Sequence, residues 1–245
     1  MALTALAAML AACASGPRGP SDAVIARALQ GAPGAAQPST VVATELAFAR
    51  AAREDGQWTA FEAFAAPGAM LHTRSGPRPF AELREVLEDP EEAVQWAPRT
   101  VVMSCAGDVA VSLGRYRDPE GTVGTFVTVW QRQQDGQYRW IYDGGGPDIP
   151  QPAPRSVPED GDIVVTAMDA VEGLVASCAR PDAPVAAPPS GSVVASGERD
   201  PMQSRDGTLR WRIDHLADGT KLVAAEYWFD GRWIAAIDER FTPAS

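Results

Sequence analysis

The sequence predicts an α+β fold: an N-terminal helical part, an antiparallel meander, and a second, smaller antiparallel β module. Two observations carry this. The apolar period is near 3.6 residues from 39 to about 88, and it changes to 2 after Pro98. Turn-forming pairs then recur at Gly107-Asp108, Asp135-Gly136, Asp218-Gly219 and Asp230-Gly231, between runs rich in Val, Ile, Trp and Tyr.

Ser39 and Thr40 are candidate caps for a first helix, with Glu45 in its early turns. Val42, Leu46 and Ala49 recur at helical spacing, and Gly56 stops the helix. Trp58, Phe61 and Phe64 stripe a second helix that Pro67-Gly68 end. A strand over 69–73 precedes a third helix, with Phe80, Leu83, Val86 and Leu87 inward. Four strands follow. A two-residue turn at Asp135-Gly136 pairs Trp130 with Ile141 and Thr128 with Asp143. One face of this hairpin then carries Phe126, Thr128, Trp130, Ile141 and Asp143; the other carries Val127, Val129, Tyr138, Trp140 and Tyr142. Both faces carry large apolar side chains, so each needs a cover, and the rest of the chain or a second copy in a homodimer is expected on one of them. Gly144, Gly145 and Gly146 read as a flexible exit into a Pro-rich linker over 147–160. Beyond it, 161–245 forms the small β module, whose last strands carry Trp211, Trp228 and Trp233.

With 21 basic against 32 acidic residues, the net charge of −11 argues against nucleic acid as a partner. The sequence has no CxxC pair, no His cluster, no phosphate-binding Gly loop and no G-x-S-x-G elbow, so neither a metal nor a cofactor is expected.

The opening "MALTALAAMLAACASGP" resembles the lipobox of bacterial lipoproteins at Leu10-Ala11-Ala12-Cys13. The resemblance implies that 1–12 is a signal peptide, that Cys13 is lipidated, and that 13–38 is a flexible tether. It places the protein at the periplasmic face of the outer membrane, touching the membrane through its lipid only. An ordinary secretory signal with an incidental cysteine is the alternative, and would leave it in the periplasm. Either way Cys105 and Cys178 become an even pair in an oxidising compartment, where a disulfide is expected; two separately buried thiols are the alternative.

"GQWTAFEAFA" and "VWQRQQDGQYRWIYDGG" are similar to the nuclear-transport-factor-two-like superfamily, shared with ketosteroid isomerase and the SnoaL-like cyclases. The resemblance covers about 40–146, assigned here as one domain over 39–146. It implies a cone: three N-terminal helices packed on a curved antiparallel sheet. Within such a cone, Trp96, Tyr116, Phe126, Thr128 and Trp130 are candidate ligand-binding residues. His72 and Asp143 are the candidate catalytic pair, His72 as a base and Asp143 as a carboxylate in an apolar pocket. In "MLHTR" a histidine stands near the place of the isomerase's carboxylic acid, a departure from that pattern. His215, at a hairpin end, is read as exposed. Two functions follow: a noncatalytic module binding a small apolar molecule or an envelope protein, or a periplasmic enzyme of the isomerase or cyclase type.

Overall fold

The computed structural model describes residues 35–153, 170–180, 182–196 and 201–243; the stretch expected to be a lipobox, with Cys13, and residues 154–160 of the expected linker lie outside them. Three helices are present, α1 (Pro38–Glu54), α2 (Gln57–Phe64) and α3 (Phe80–Arg84). The first strands are β1 (Ala65–Thr73), β2 (Gly76–Pro79), β3 (Gln95–Met103), β4 (Val109–Arg117), β5 (Val123–Arg132) and β6 (Tyr138–Pro147). Then come β7 (Glu172–Val175), β8 (Met202–Gln203), β9 (Leu209–His215), β10 (Lys221–Phe229) and β11 (Arg232–Phe241). They build a seven-stranded sheet in the order β2-β1-β6-β5-β4-β3-β7 and a four-stranded sheet in the order β11-β10-β9-β8.

This corrects the expected α+β cone of three helices on a curved antiparallel sheet. The described chain is mostly sheet, two of its three helices are short, and the larger sheet is mixed. Two local causes stand out. First, α3 has five residues, and Val86, expected inward, is 77% exposed. The chain turns away after Arg84, which lets the Asp89 carboxylate accept the backbone N–H groups of Trp58 and Thr59 at the start of α2. Second, β1 starts at Ala65, ahead of Pro67-Gly68, and lies parallel to β6, while β7 lies parallel to β3. The sequence predicts only antiparallel neighbours there. A strand from beyond the Pro-rich segment thus completes one edge of the large sheet.

The β5–β6 hairpin shows how one residue redistributes a face. Its turn is one residue longer than expected: the Gln133 N–H donates to the Gln137 carbonyl, and Gly136 takes φ +84°. A bulge at Ile141 absorbs the extra residue, because Val129 pairs with Tyr142 but Trp130 with Trp140. Thr128 therefore still pairs with Asp143. Between turn and bulge the faces exchange, so Tyr138 and Trp140 join Trp130 on the helix side, correcting the predicted faces.

Each face of the large sheet has its own core. On one, Val101, Trp130 and Trp140 pack with Val41 and Phe48 of α1 and Phe80 of α3. On the other, Val127, Val129 and Tyr142 pack against Leu209, Trp211, Val223, Tyr227 and Phe241 of the smaller sheet. The rest of the chain covers the second face. Cys105 and Cys178 are bonded within this second core, with Cα atoms 5.1 Å apart, as the sequence predicts. Such a bond marks an oxidising compartment.

The triple glycine is not a flexible exit. Gly144, Gly145 and Gly146 lie inside β6, opposite Val127, Phe126 and Thr125. A Cβ on Gly144 would stand 2.8 Å from the His72 Cβ, and one on Gly145 3.1 Å from the Phe126 Cα. The bare backbone is what lets neighbouring side chains lie across it.

Candidate functional site

The site starts from the rotation of α1. Its buried stripe is Val41, Glu45, Phe48, Ala49 and Ala52, whereas Leu46, expected inward, is 47% exposed. The helix is turned by about one residue relative to the expected stripe, and that turn carries a carboxylate into the core. Glu45 is fully buried. One of its oxygens accepts the Trp96 indole N–H at 3.0 Å. The other accepts the Ser112 hydroxyl at 2.8 Å and the Trp130 indole N–H at 3.0 Å. Burial pushes its carboxyl up to about 7; the three donors oppose this and the nearby Asp143 charge adds to it.

Across the sheet below, Ser112, Thr128 and Asp143 are lateral partners on β4, β5 and β6. The Thr128 hydroxyl donates to Asp143 Oδ2 at 2.6 Å. Burial raises Asp143 to about 6, against the Thr128 hydrogen bond and the Lys221 charge. Lys221, from the smaller sheet, donates to the backbone carbonyls of His72 and Gly145 at 3.0 and 2.9 Å.

Above Asp143 is a cavity of about 230 Å³, bounded by Phe48, Phe61, Trp96, Tyr116 and Phe126. Two glycines shape its walls. A Cβ on Gly114 would be 2.4 Å from the Phe126 ring, and one on Gly124 2.4 Å from the Tyr116 ring. Each ring thus occupies the space that a Cβ at the facing glycine would fill. The arrangement suits an apolar guest with one polar group that meets a proton-exchanging carboxyl.

Of the residues the sequence singles out, Trp96, Tyr116, Phe126 and Asp143 come together on this cavity. Thr128 stands behind Asp143, and Trp130, fully buried, holds Glu45 instead of lining the space. His72 is not part of it. The β1 partner of Asp143 is Leu71, so His72 points to the opposite face of the sheet. There its Nδ1 meets the Tyr142 hydroxyl at 2.7 Å and its Nε2 meets His215 Nδ1 at 3.1 Å. His215, read as exposed, is thus half-buried between the two sheets. Phe48, Phe61 and Glu45 are the members sequence reasoning misses; the spacing of Val41, Glu45, Phe48 and Ala52 is the signal that points to Glu45.

Among the described residues, no three His, Cys, Asp or Glu side chains gather to hold a metal, and no helix is long and apolar enough to cross a membrane.

No family model matches the chain, and no curated protein does. Solved structures give partial likenesses. One, from Xanthomonas campestris, is described as a calcium/calmodulin dependent protein kinase II association domain; it is 15% identical with a TM-score of 0.33, over 44% of this chain and 85% of that one. Another is a nuclear transport factor 2 (NTF2-like) superfamily protein from Salmonella enterica, 14% identical with a TM-score of 0.32, over 50% of this chain and 92% of that one. Both likenesses are weak and span about half of this chain.

Proposed function

We propose that this chain is a noncatalytic module of the cell envelope that binds a small, mostly apolar molecule in the aromatic cavity and holds its polar group on Asp143. The observation that carries the reading is Asp143 itself, a carboxyl raised to about 6 at the edge of a cavity walled by aromatic rings. At about 230 Å³ the space falls below the ~300–1,000 Å³ usual for drug-sized ligands, so the guest is small. Calorimetric titration with 4-phenylbutanol is expected to show saturable one-to-one binding. Asp143→Asn is expected to weaken it about tenfold, the worth of a hydrogen bond to a charged acceptor. An absence of saturable binding to the intact protein would overturn the reading.

The raised Asp143 also favours a second reading, an enzyme that moves a proton on the guest. Such a base would act without His72, which faces the other side of the sheet. Hydrogen–deuterium exchange at the carbons beside the carbonyl of cyclohexanone separates the two. Exchange at the buffer rate supports a binding module, whereas acceleration that Asp143→Asn removes supports the enzyme.

Export and anchoring belong to the same proposal. The Cys105–Cys178 bond calls for an oxidising compartment, and Leu10-Ala11-Ala12-Cys13 supplies the lipobox. Made with a competent signal, the protein is expected to partition with membranes, and Cys13→Ser to release it or block its maturation. An unmodified Cys13 in the mature protein, seen by mass spectrometry, would contradict the anchor. An envelope protein in place of a small guest would leave the cavity unused.

A further inference from the structure

We infer that the guest is an amphipathic carboxylate, its apolar body in the aromatic cavity and its acidic head carried outward over Trp96 and Tyr116 onto the arginines of an adjoining groove. The inference rests on the cavity being a binding site and gives the guest two ends: a neutral end at Asp143, where the alcohol places its hydroxyl, and an acidic head that Asp143 excludes and the groove takes.

The two spaces share a wall. Trp96 and Tyr116, lateral partners on β3 and β4, line both the cavity and a groove of about 960 Å³ beside it. In a chain of net charge −11, the described lining of that groove gathers Arg53 from α1, Arg99 from β3, and Arg115 and Arg117 from β4, with Glu120 as the acid among those described residues. Arg115 is committed to Asp148 and to the Thr125 hydroxyl. Arg53 and Arg117 differ. Arg53 donates to the Ala49 carbonyl at 2.9 Å and Arg117 to the Gly121 carbonyl at 3.5 Å, and among the described residues neither enters an ion pair. A guanidinium has five N–H donors in a planar fork, so most of theirs remain for a planar bidentate acceptor such as a carboxylate.

The cavity sets the direction of the guest. Asp143 on the cavity wall repels an anion, so an acidic head must lie away from it, toward the groove. At the shared wall, burial holds the Tyr116 hydroxyl protonated, making it a donor toward such a head. Arginines on a merely solvated surface would have no relation to an aromatic cavity; here the same two rings border both.

The test uses the full chain and a matched pair of probes, 4-phenylbutanoate and 4-phenylbutanol, titrated calorimetrically at low ionic strength. The acid is expected to bind at least tenfold tighter than the alcohol, with the difference shrinking as salt is added. The double variant Arg53→Gln/Arg117→Gln is expected to remove that advantage. Alcohol binding in the same variant shows that it is folded with its cavity intact. Equal affinity for acid and alcohol, or an acid preference that survives the double substitution, overturns the inference while the cavity remains a binding site. If neither probe binds the intact protein, both the inference and the reading beneath it fail.

Discussion

Replacing both bonded cysteines, as Cys105→Ser/Cys178→Ser, is expected to lower the unfolding free energy by about 4 kcal/mol. The bond spans 73 residues of sequence, and closing a loop of that length removes about this much chain entropy from the unfolded state. The native contacts around it should survive. The Cys105 N–H donates to the Thr208 hydroxyl at 3.0 Å, the Ala106 N–H to Asp206 at 2.7 Å, and the Arg205 N–H to Asp108 at 3.0 Å. These bonds tie the β3–β4 turn to the β8–β9 turn without the disulfide. The double variant should therefore keep the wild-type near-ultraviolet circular dichroism while its urea midpoint drops. Against a total stability of roughly 5–15 kcal/mol, such a loss is easily read. A midpoint unchanged by the substitutions would show that the bond does not constrain the unfolded chain.

Glu45→Ala is expected to be the most damaging single change in the core. It leaves the Trp96 and Trp130 indole N–H groups and the Ser112 hydroxyl without their shared acceptor. Each buried orphan donor costs about 1–3 kcal/mol, so the loss should be at least about 3 kcal/mol. Glu45→Gln keeps one acceptor oxygen and should lose less. The same residue makes stability depend on pH. Its carboxyl rises from an ordinary 4.5 to about 7 on folding, so the folded state holds the proton more tightly than the unfolded chain does. Stability from this group is then complete below about 4.5 and falls as pH rises to about 7, by on the order of 3 kcal/mol. Asp143, raised from 3.8 to about 6, falls in the same sense over a lower window. Subtracting the Glu45→Gln profile from that of the wild type, in urea titrations from pH 4 to 8, isolates the Glu45 part. A difference that is flat with pH would contradict its burial as an acid held near neutrality.

How much of this was legible in the sequence varied by element. Strand period and turn chemistry located β3 to β6 and β9 to β11, and the Thr128–Asp143 pair followed from counting back from Asp135-Gly136. Counting could not reveal that the turn takes one residue more and that Ile141 bulges out to compensate. The shifted register leaves Trp130 and Trp140 together in the core under the helices, a tertiary arrangement that no local count contains. The parallel pairs β1–β6 and β3–β7 were illegible for a related reason, since a parallel neighbour arrives from far along the chain and leaves no turn to read. At the site, the aromatic walls showed in the strand pattern. Glu45 did not, because a charged residue on a helix is ordinarily assigned to the wet face, and only its three buried donors justify it inside. His72 was joined to Asp143 through the resemblance, which puts it near the isomerase's catalytic acid; β1 does lie beside β6, yet alternation on β1 sends the two side chains to opposite faces.

If the cavity takes a guest, Asp143 is the proton-exchanging carboxyl that meets it. A carbon-13 NMR titration of the Asp143 carboxyl, run with and without 4-phenylbutanol, addresses it directly. A midpoint near 6 is expected in the free protein, where burial raises the carboxyl, and a displaced midpoint when the alcohol is bound. A midpoint at the ordinary carboxylate value, unmoved by the alcohol, would contradict it.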